Sequence, residues 1–66
     1  MRITLNGDAT DVPAALTVHT LLLHLQIDPR IVAVERNRVV VKRAQYAETA
    51  LAEGDEIEIV AFVGGG

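Results

Sequence analysis

Polar and apolar side chains alternate at the start of the chain, and this pattern predicts a strand. Apolar residues occupy positions 1, 3 and 5 and polar residues positions 2, 4 and 6, which is the period of a strand with one buried face. Asn6-Gly7-Asp8 follows as a turn signal, because Asn and Gly tolerate a positive φ angle. We therefore expect a hairpin, with a weaker second strand over residues 9–12 that Pro13 ends.

A helical pattern begins after Thr17. This residue can cap a helix, although Thr20 stands where a capping box has Glu or Gln, so we expect the box to be incomplete. Apolar residues recur at i, i+3, i+4 and i+7, namely Val18, Leu21, Leu22 and Leu25. The spacing predicts a helix with one apolar stripe that runs to about Gln26 and is stopped by Asp28-Pro29.

The second half of the chain predicts three more strands. Residues 31–36 and 39–41 are rich in β-branched side chains and flank Asn37-Arg38, which predicts a hairpin. Residues 42–53 are irregular, with Tyr46 and Leu51 as the expected anchors. Gly54-Asp55 predicts a turn into a last strand that should direct Ile57 and Ile59 toward the helix. The element order predicts an α+β fold, with one curved sheet over a single helix.

Composition and charge exclude several classes of function. The 66 residues include no cysteine, which excludes thiol, disulfide and thiolate-metal chemistry on this chain. A net charge of -3 and two aromatic residues argue against a nucleic-acid surface. The longest apolar run is far shorter than the roughly 20 residues that cross a bilayer, and residues 1–4 do not begin a signal peptide, so we expect a cytoplasmic protein.

Several stretches together are similar to the ThiS family of thiamin-biosynthesis sulfur carriers. The resemblance covers the whole chain. The stretches that carry it are Met1 to Gly7, Thr17-Val18, Ala33 to Asn37, Val41-Lys42-Arg43 with Tyr46, Gly54 to Ile59, and Phe62 to Gly66. The resemblance implies a ubiquitin-like β-grasp domain over residues 1–61, with a mixed sheet of about five strands, and a flexible C-terminal tail over residues 62–66.

The resemblance also implies a function and a site. In this family an adenylating activating enzyme uses ATP on the carboxylate of the last glycine, and sulfur then replaces the adenylate to give a thiocarboxylate. The corresponding residue here is Gly66, with Gly64 and Gly65 in the tail before it. The partners implied are this activating enzyme, a persulfide-bearing sulfur donor, and thiazole synthase, which receives the sulfur.

The chemistry of the chain agrees with a carrier that is a co-substrate and not an enzyme. An α-carboxylate with a pKa of roughly 3.3 to 3.7 is ionised at neutral pH and is a poor acceptor for nucleophiles. The chain contains no P-loop signature and no cysteine nucleophile with which to activate it. We therefore expect no bound cofactor and no metal, with ATP used by the partner. The competing interpretation is that Gly64-Gly65-Gly66 is only a frayed terminus.

Three apolar residues near the end of the last strand are candidates for partner binding. Val60, Phe62 and Val63 should lie on or beyond the sheet face opposite the helix, where one helix cannot cover them. The alternative is that Phe62 folds back onto the domain as ordinary packing.

Other polar groups are expected to be solvated. His19 and His24 lie about 140° apart on a helix, so they cannot chelate one ion from a single face. A basic cluster (Arg36, Arg38, Lys42, Arg43) and an acidic run (Glu48, Glu53, Asp55, Glu56, Glu58) are interpreted as solvated faces. The alternative is that the acidic run steers the tail toward basic partners.

Other functions remain open at this point. The small subunit of molybdopterin synthase resembles the chain in fold and uses the same terminal chemistry, although the compact stretch from Lys42 to Glu53 favours the thiamin branch. A ubiquitin-like protein modifier and a non-catalytic β-grasp binding module are the further alternatives.

Overall fold

The structure is a computed structural model that describes residues 1–62. Within this range it contains five strands, one α-helix and two 3₁₀ helices. The strands are β1 (Arg2–Leu5), β2 (Asp8–Asp11), β3 (Val32–Arg36), β4 (Val39–Val41) and β5 (Glu56–Ala61), and the α-helix is α1 (Val18–His24). The 3₁₀ helices are Pro29–Ile31 and Arg43–Gln45.

The five strands form one mixed sheet in the order β2-β1-β5-β3-β4. β5 occupies the centre, where it pairs in parallel with β1 and antiparallel with β3. The two hairpins, β1 with β2 and β3 with β4, form the outer parts of the sheet. The predicted α+β fold with about five strands and one helix is therefore confirmed, and the last strand of the chain is the innermost one.

Both hairpins use two-residue turns with positive φ angles. Asn6 and Gly7 have φ of 49° and 87°, and Asn37 and Arg38 have φ of 53° and 68°. Two consecutive left-handed residues are the mark of a type I′ turn, whose twist matches that of the flanking strands. The two turns predicted from the sequence are confirmed, and the second places an arginine where glycine is preferred.

The N-terminus of α1 is capped more completely than the sequence predicts. The Thr17 hydroxyl accepts a hydrogen bond from the Thr20 backbone N–H at 3.2 Å, and the Thr20 hydroxyl accepts one from the Thr17 N–H at 2.8 Å. The expectation of an incomplete capping box is wrong, because a threonine hydroxyl at the third helical position reaches back as a glutamate would.

The C-terminus of α1 comes earlier than the sequence predicts. The helix ends at His24 with Leu25 as its cap, and Gln26 takes a left-handed conformation with φ of 60°. The Gln26 N–H donates to the Leu23 carbonyl and the Ile27 N–H to the Leu22 carbonyl at 2.8 Å. These two bonds form a Schellman motif, which ends the helix before Asp28-Pro29 is reached.

The core lies between α1 and one face of the sheet. Its buried apolar members are Ile3, Val12, Val18, Leu21, Leu22, Val32, Val34, Tyr46, Leu51 and Ile57. The predicted helix stripe supplies three of them, and the fourth stripe residue, Leu25, packs against the cluster while partly exposed. Tyr46 and Leu51 are buried as predicted, so they anchor the irregular segment between β4 and β5.

The left-handed residue after α1 generates a prediction about stability. Replacing Gln26 by glycine should raise the free energy of unfolding by about 0.5–1 kcal/mol, because glycine adopts a positive φ without steric cost. His24→Gly is the matched control: it lies inside the helix and should lower the free energy of unfolding by a similar amount. Urea unfolding of the two variants measures both effects. Equal destabilisation by both would show that the Gln26 conformation is not strained.

Candidate functional site

The central strand β5 leads directly into the residues that end the sequence. Its hydrogen bonding to the β3 side extends past Ala61, because the Phe62 N–H donates to the Ile31 carbonyl at 2.7 Å. Val63, Gly64, Gly65 and Gly66 lie outside the described residues, so the predicted tail and its carboxylate site stay predictions. The structure shows how the sheet holds the chain up to Phe62.

A buried carboxylate holds the start of β5. Asp55 is 6% exposed and accepts hydrogen bonds from the Ala52 N–H at 2.8 Å, Arg36 Nε at 2.9 Å and Asn37 Nδ2 at 3.1 Å. Burial by itself would raise the pKa of Asp55, but the hydrogen bonds from Ala52, Arg36 and Asn37 together outweigh it and the pKa lies below its ordinary value. The ionised carboxylate therefore joins β5 to the β3–β4 turn.

The interpretation of the charged clusters as solvated faces is wrong for the residues of this network. Asp55, from the acidic run, is buried, and Arg36, from the basic cluster, pairs with it. Arg43 of the same cluster donates to the Val32 carbonyl at 3.4 Å but is exposed, as expected. Composition alone could not separate these residues from their exposed neighbours, because the pairing depends on strands that are distant in sequence.

Two turn asparagines also bind the backbone of β5, which the sequence pattern did not predict. The Asn37 side chain accepts from the Glu56 N–H at 2.9 Å. The Asn6 side chain accepts from the Ile59 N–H at 2.8 Å and donates to the Ile59 carbonyl at 3.3 Å. Each asparagine is the first of the two central residues of a type I′ turn, so the turn signal identified the residues but not their side-chain partners.

The sheet face away from α1 presents an apolar patch near the end of β5. Val60 is 57% exposed and Phe62 is 59% exposed. The exposed side chain of Phe62 does not agree with the alternative that it packs back onto the domain. A role of Val60, Phe62 and Val63 in partner binding stays a prediction, and Val63 lies outside the described residues.

Carboxylates lie beside this apolar patch. Glu58 of β5 is paired directly opposite Glu35 of β3, and both are exposed. Side chains two residues apart on a strand share a face, so Glu58 shares the face of Val60. Like charges directly opposite each other are destabilising, which makes this pair an unusual feature of the open face.

The two histidines of α1 differ in exposure. His19 is half-buried and His24 is exposed. In this range no three His, Cys, Asp or Glu side chains are grouped as metal ligands would be. The described helices are also too short to span a bilayer.

The architecture defines the chain as a ubiquitin-like β-grasp protein, a mixed five-stranded sheet with one helix. It is similar to the crystal structure of the thiamine biosynthesis protein ThiS from Geobacter metallireducens, with a TM-score of 0.86, 35% identity and coverage of 100% of both chains. The sequence profile of the ThiS family matches residues 3–66. The chain belongs to the ThiS family.

Two further relatives agree with this assignment. The sulfur carrier protein ThiS of Bacillus subtilis is 46% identical over 50 residues, which are 76% of each chain. The thiazole synthase of Paramagnetospirillum magneticum is 47% identical over all 66 residues, but these make up 20% of that protein. The chain thus spans about a fifth of the length of this thiazole synthase.

The Asp55 network predicts how stability depends on pH. The pKa of Asp55 is lower in the folded than in the unfolded chain, so its contribution is complete above the unfolded pKa of about 3.9 and is lost as the pH falls through the lower folded pKa. Asp55→Asn should lower the free energy of unfolding by about 2–3 kcal/mol at pH 7 and reduce its fall in acid. Urea unfolding from pH 7 to pH 2, which extends well below the unfolded pKa, measures both.

The control for this prediction is Asp11→Asn. Asp11 also pairs with an arginine, Arg2, but both side chains are exposed and screened by solvent, so the loss should be much smaller than in Asp55→Asn. An equal loss in both variants would contradict a special role for the buried carboxylate.

Because Val60 and Phe62 are exposed, we predict that aspartate at either position leaves the fold stable. Val60→Asp and Phe62→Asp should each change the free energy of unfolding by less than about 1 kcal/mol, because the side chains contribute little to the core. Ile57→Ala, on the opposite face of the same strand and 1% exposed, should cost about 2–5 kcal/mol. Thermal unfolding compares the three, and a large loss from Phe62→Asp would show that this ring is packed.

Proposed function

We propose that the chain is a sulfur carrier of thiamin biosynthesis, which holds sulfur as a thiocarboxylate on Gly66 and donates it to thiazole formation. The observation that carries this proposal is membership of the ThiS family over residues 3–66, a match that includes Gly64-Gly65-Gly66. The Bacillus subtilis relative is named a sulfur carrier protein, and the same role is proposed here.

The carrier acts as a co-substrate of its partners. A chain without cysteine cannot hold sulfur as a persulfide, whereas a carboxylate can exchange one oxygen for sulfur once it is activated. The proposed activation is adenylation by a partner that binds ATP: the Gly66 carboxylate attacks the α-phosphate, and pyrophosphate leaves. The carrier itself binds no cofactor.

Sulfur enters in the second step. The terminal sulfur of a persulfide-bearing donor attacks the acyl carbon, and AMP leaves with the carboxylate oxygen that it had acquired, which gives an acyl disulfide. A thiol then attacks the inner, donor-side sulfur of this S–S bond and supplies the two electrons, so that the donor leaves as a disulfide and the thiocarboxylate remains. The activating site must exclude water, since the acyl-adenylate is easily hydrolysed. Glycines suit such a site because they have no Cβ to obstruct a narrow channel.

In this proposal the folded domain docks on the partner, and the tail carries the reacting carboxylate. Residues 63–66 would span at most about 14 Å if fully extended, so the folded domain must dock close to the partner's active site. Val60 and Phe62 offer exposed apolar surface next to the tail, and we assign them, with Val63, to docking. Glu35 and Glu58 beside them favour a partner surface that is basic, which would also raise the rate of encounter.

Thiazole synthase is the proposed acceptor of the sulfur. The Paramagnetospirillum magneticum thiazole synthase contains a segment 47% identical to all 66 residues of this chain. A carrier-like segment within a thiazole synthase supports the pairing of the two proteins in one pathway. A cytoplasmic setting is proposed for both.

Intact-mass measurement tests the function. Incubation with a ThiS-activating adenylating enzyme, MgATP and inorganic sulfide should add the mass difference between sulfur and oxygen. Deletion of Gly65-Gly66 should abolish the gain without changing the melting temperature, because the buried core of the described residues is formed between Ile3 and Ile57. The control Glu48→Gln removes an exposed carboxylate of the folded domain and should be loaded like the wild type.

Undiminished loading of the Gly65-Gly66 deletion would contradict the proposed site. Complementation separates the remaining alternatives: rescue of a molybdenum-cofactor mutant, but not of a thiamin auxotroph, would contradict the assignment to thiamin biosynthesis.

A further inference from the structure

The strand that carries the tail loses its neighbour on one side before it ends. β1 is paired with β5 only up to Leu5, which lies opposite Ile57, while β5 continues to Ala61. On the other side, β3 is paired along β5 as far as Ala61. The last residues of β5 would therefore be held from the β3 side alone if nothing replaced β1.

Asn6 extends the pairing from the β1 side. Its backbone N–H donates to the Ile57 carbonyl at 2.9 Å, continuing the pattern by which the Thr4 N–H donates to the Asp55 carbonyl. Its side chain then contacts both polar backbone groups of Ile59, accepting from the N–H and donating to the carbonyl. An amide side chain has one acceptor and one donor group, as a backbone unit has. Asn6 thus takes the place of the strand residue that β1 lacks.

The left-handed turn makes this contact possible. Asn6 has φ of 49°, so the main chain turns toward β2 while the side chain continues along β5. Glycine and asparagine both accept this conformation, but glycine has no side chain to bind Ile59. The turn therefore does not require the side-chain amide, whose role is to hydrogen-bond the backbone of β5 at Ile59.

We propose that Asn6 is a positioning residue for sulfur loading, which fixes the end of β5 so that Val60, Phe62 and the tail are presented to the activating enzyme in one arrangement. The inference rests on the proposed function. Asn6 hydrogen-bonds Ile59 on the β1 side of the strand, and the Phe62 N–H hydrogen-bonds the Ile31 carbonyl on the β3 side. When the hydrogen bonds on one side are lost, the arrangement of β5 that binds the activating enzyme is populated for a smaller fraction of the time. The apparent affinity for the enzyme falls in proportion to that fraction.

The test compares Asn6→Gly with Asn37→Gly. Both substitutions remove a side-chain amide from the first central residue of a type I′ turn. Asn37, however, binds Glu56 and Asp55 at the opposite end of β5. Asn6→Gly removes both side-chain contacts to Ile59 and should raise the KM of the carrier for the adenylating enzyme at least about fivefold, the ratio for the loss of one of them, with kcat unchanged. Asn37→Gly should lower the melting temperature but leave KM unchanged. Asn6→Asp keeps the acceptor for the Ile59 N–H but places a carboxylate oxygen against the Ile59 carbonyl, so it should restore only part of the affinity.

Amide hydrogen exchange on the free carrier gives a readout that needs no partner. Asn6→Gly should reduce protection of the Ile59 N–H about fivefold and leave the Glu56 N–H unchanged, and Asn37→Gly should do the reverse. Unchanged protection at Ile59, or an unchanged KM, would overturn the proposal. An Asn6→Gly chain that does not fold would also overturn it, since Asn6 would then serve the whole fold.

Failure of this proposal is distinguishable from failure of the proposed function. If the wild-type carrier gains no sulfur, the function is wrong while the exchange experiment still decides the role of Asn6. If the wild type is loaded and Asn6→Gly is loaded with the same KM, the function stands and Asn6 is not a positioning residue.

Discussion

The fold depends on the hydrogen bonding of β5 on both of its sides. This strand is last in sequence and central in the sheet, so neither hairpin is joined to the other until β5 lies between them. Its start is held by the Asp55 carboxylate and by Asn37, and its end by Asn6 and by the bond from Phe62 to Ile31. Ile57, the second residue of the strand, lies in the core between α1 and the sheet. β5 thus joins the two hairpins, contributes to the core and precedes the residues that lead to Gly66.

The same arrangement explains how so small a domain can act as a carrier. A strand held on both sides gives the tail a rigid base, and the face of β5 away from α1 remains open for a partner. The open face has features that stability alone would not select, namely exposed Val60 and Phe62 and the opposed carboxylates of Glu35 and Glu58. Natural sequences depart from the most stable choice chiefly where function requires it. Under the proposed function, the folded domain presents the Gly66 carboxylate to the partner enzymes.

Much of the fold could be predicted from the sequence, because local patterns specify it. The period of the stripe from Val18 to Leu25 identified the helix, and alternation identified β1 and β5. The end of α1 at His24 could not be predicted, since glutamine rarely adopts the left-handed conformation that Gln26 takes. The burial of Asp55 was also missed, because its partners Arg36 and Asn37 lie 19 and 18 residues away and meet it only through strand pairing. For the site, alternation correctly predicted an exposed Val60, whereas the contact of Asn6 with Ile59 spans 53 residues and has no local signal.

The central claim is that transferable sulfur resides on Gly66 and on no other carboxylate of the chain. Fragmentation of the sulfur-loaded carrier in the mass spectrometer tests it most directly, because each backbone fragment reports whether it contains the added mass. The account predicts that every fragment containing Gly66 is heavier by one oxygen-to-sulfur exchange and that every fragment ending before Gly66 is unchanged. An exchange found on fragments of residues 1–62, such as those that contain Glu35, Asp55 or Glu58, would contradict it.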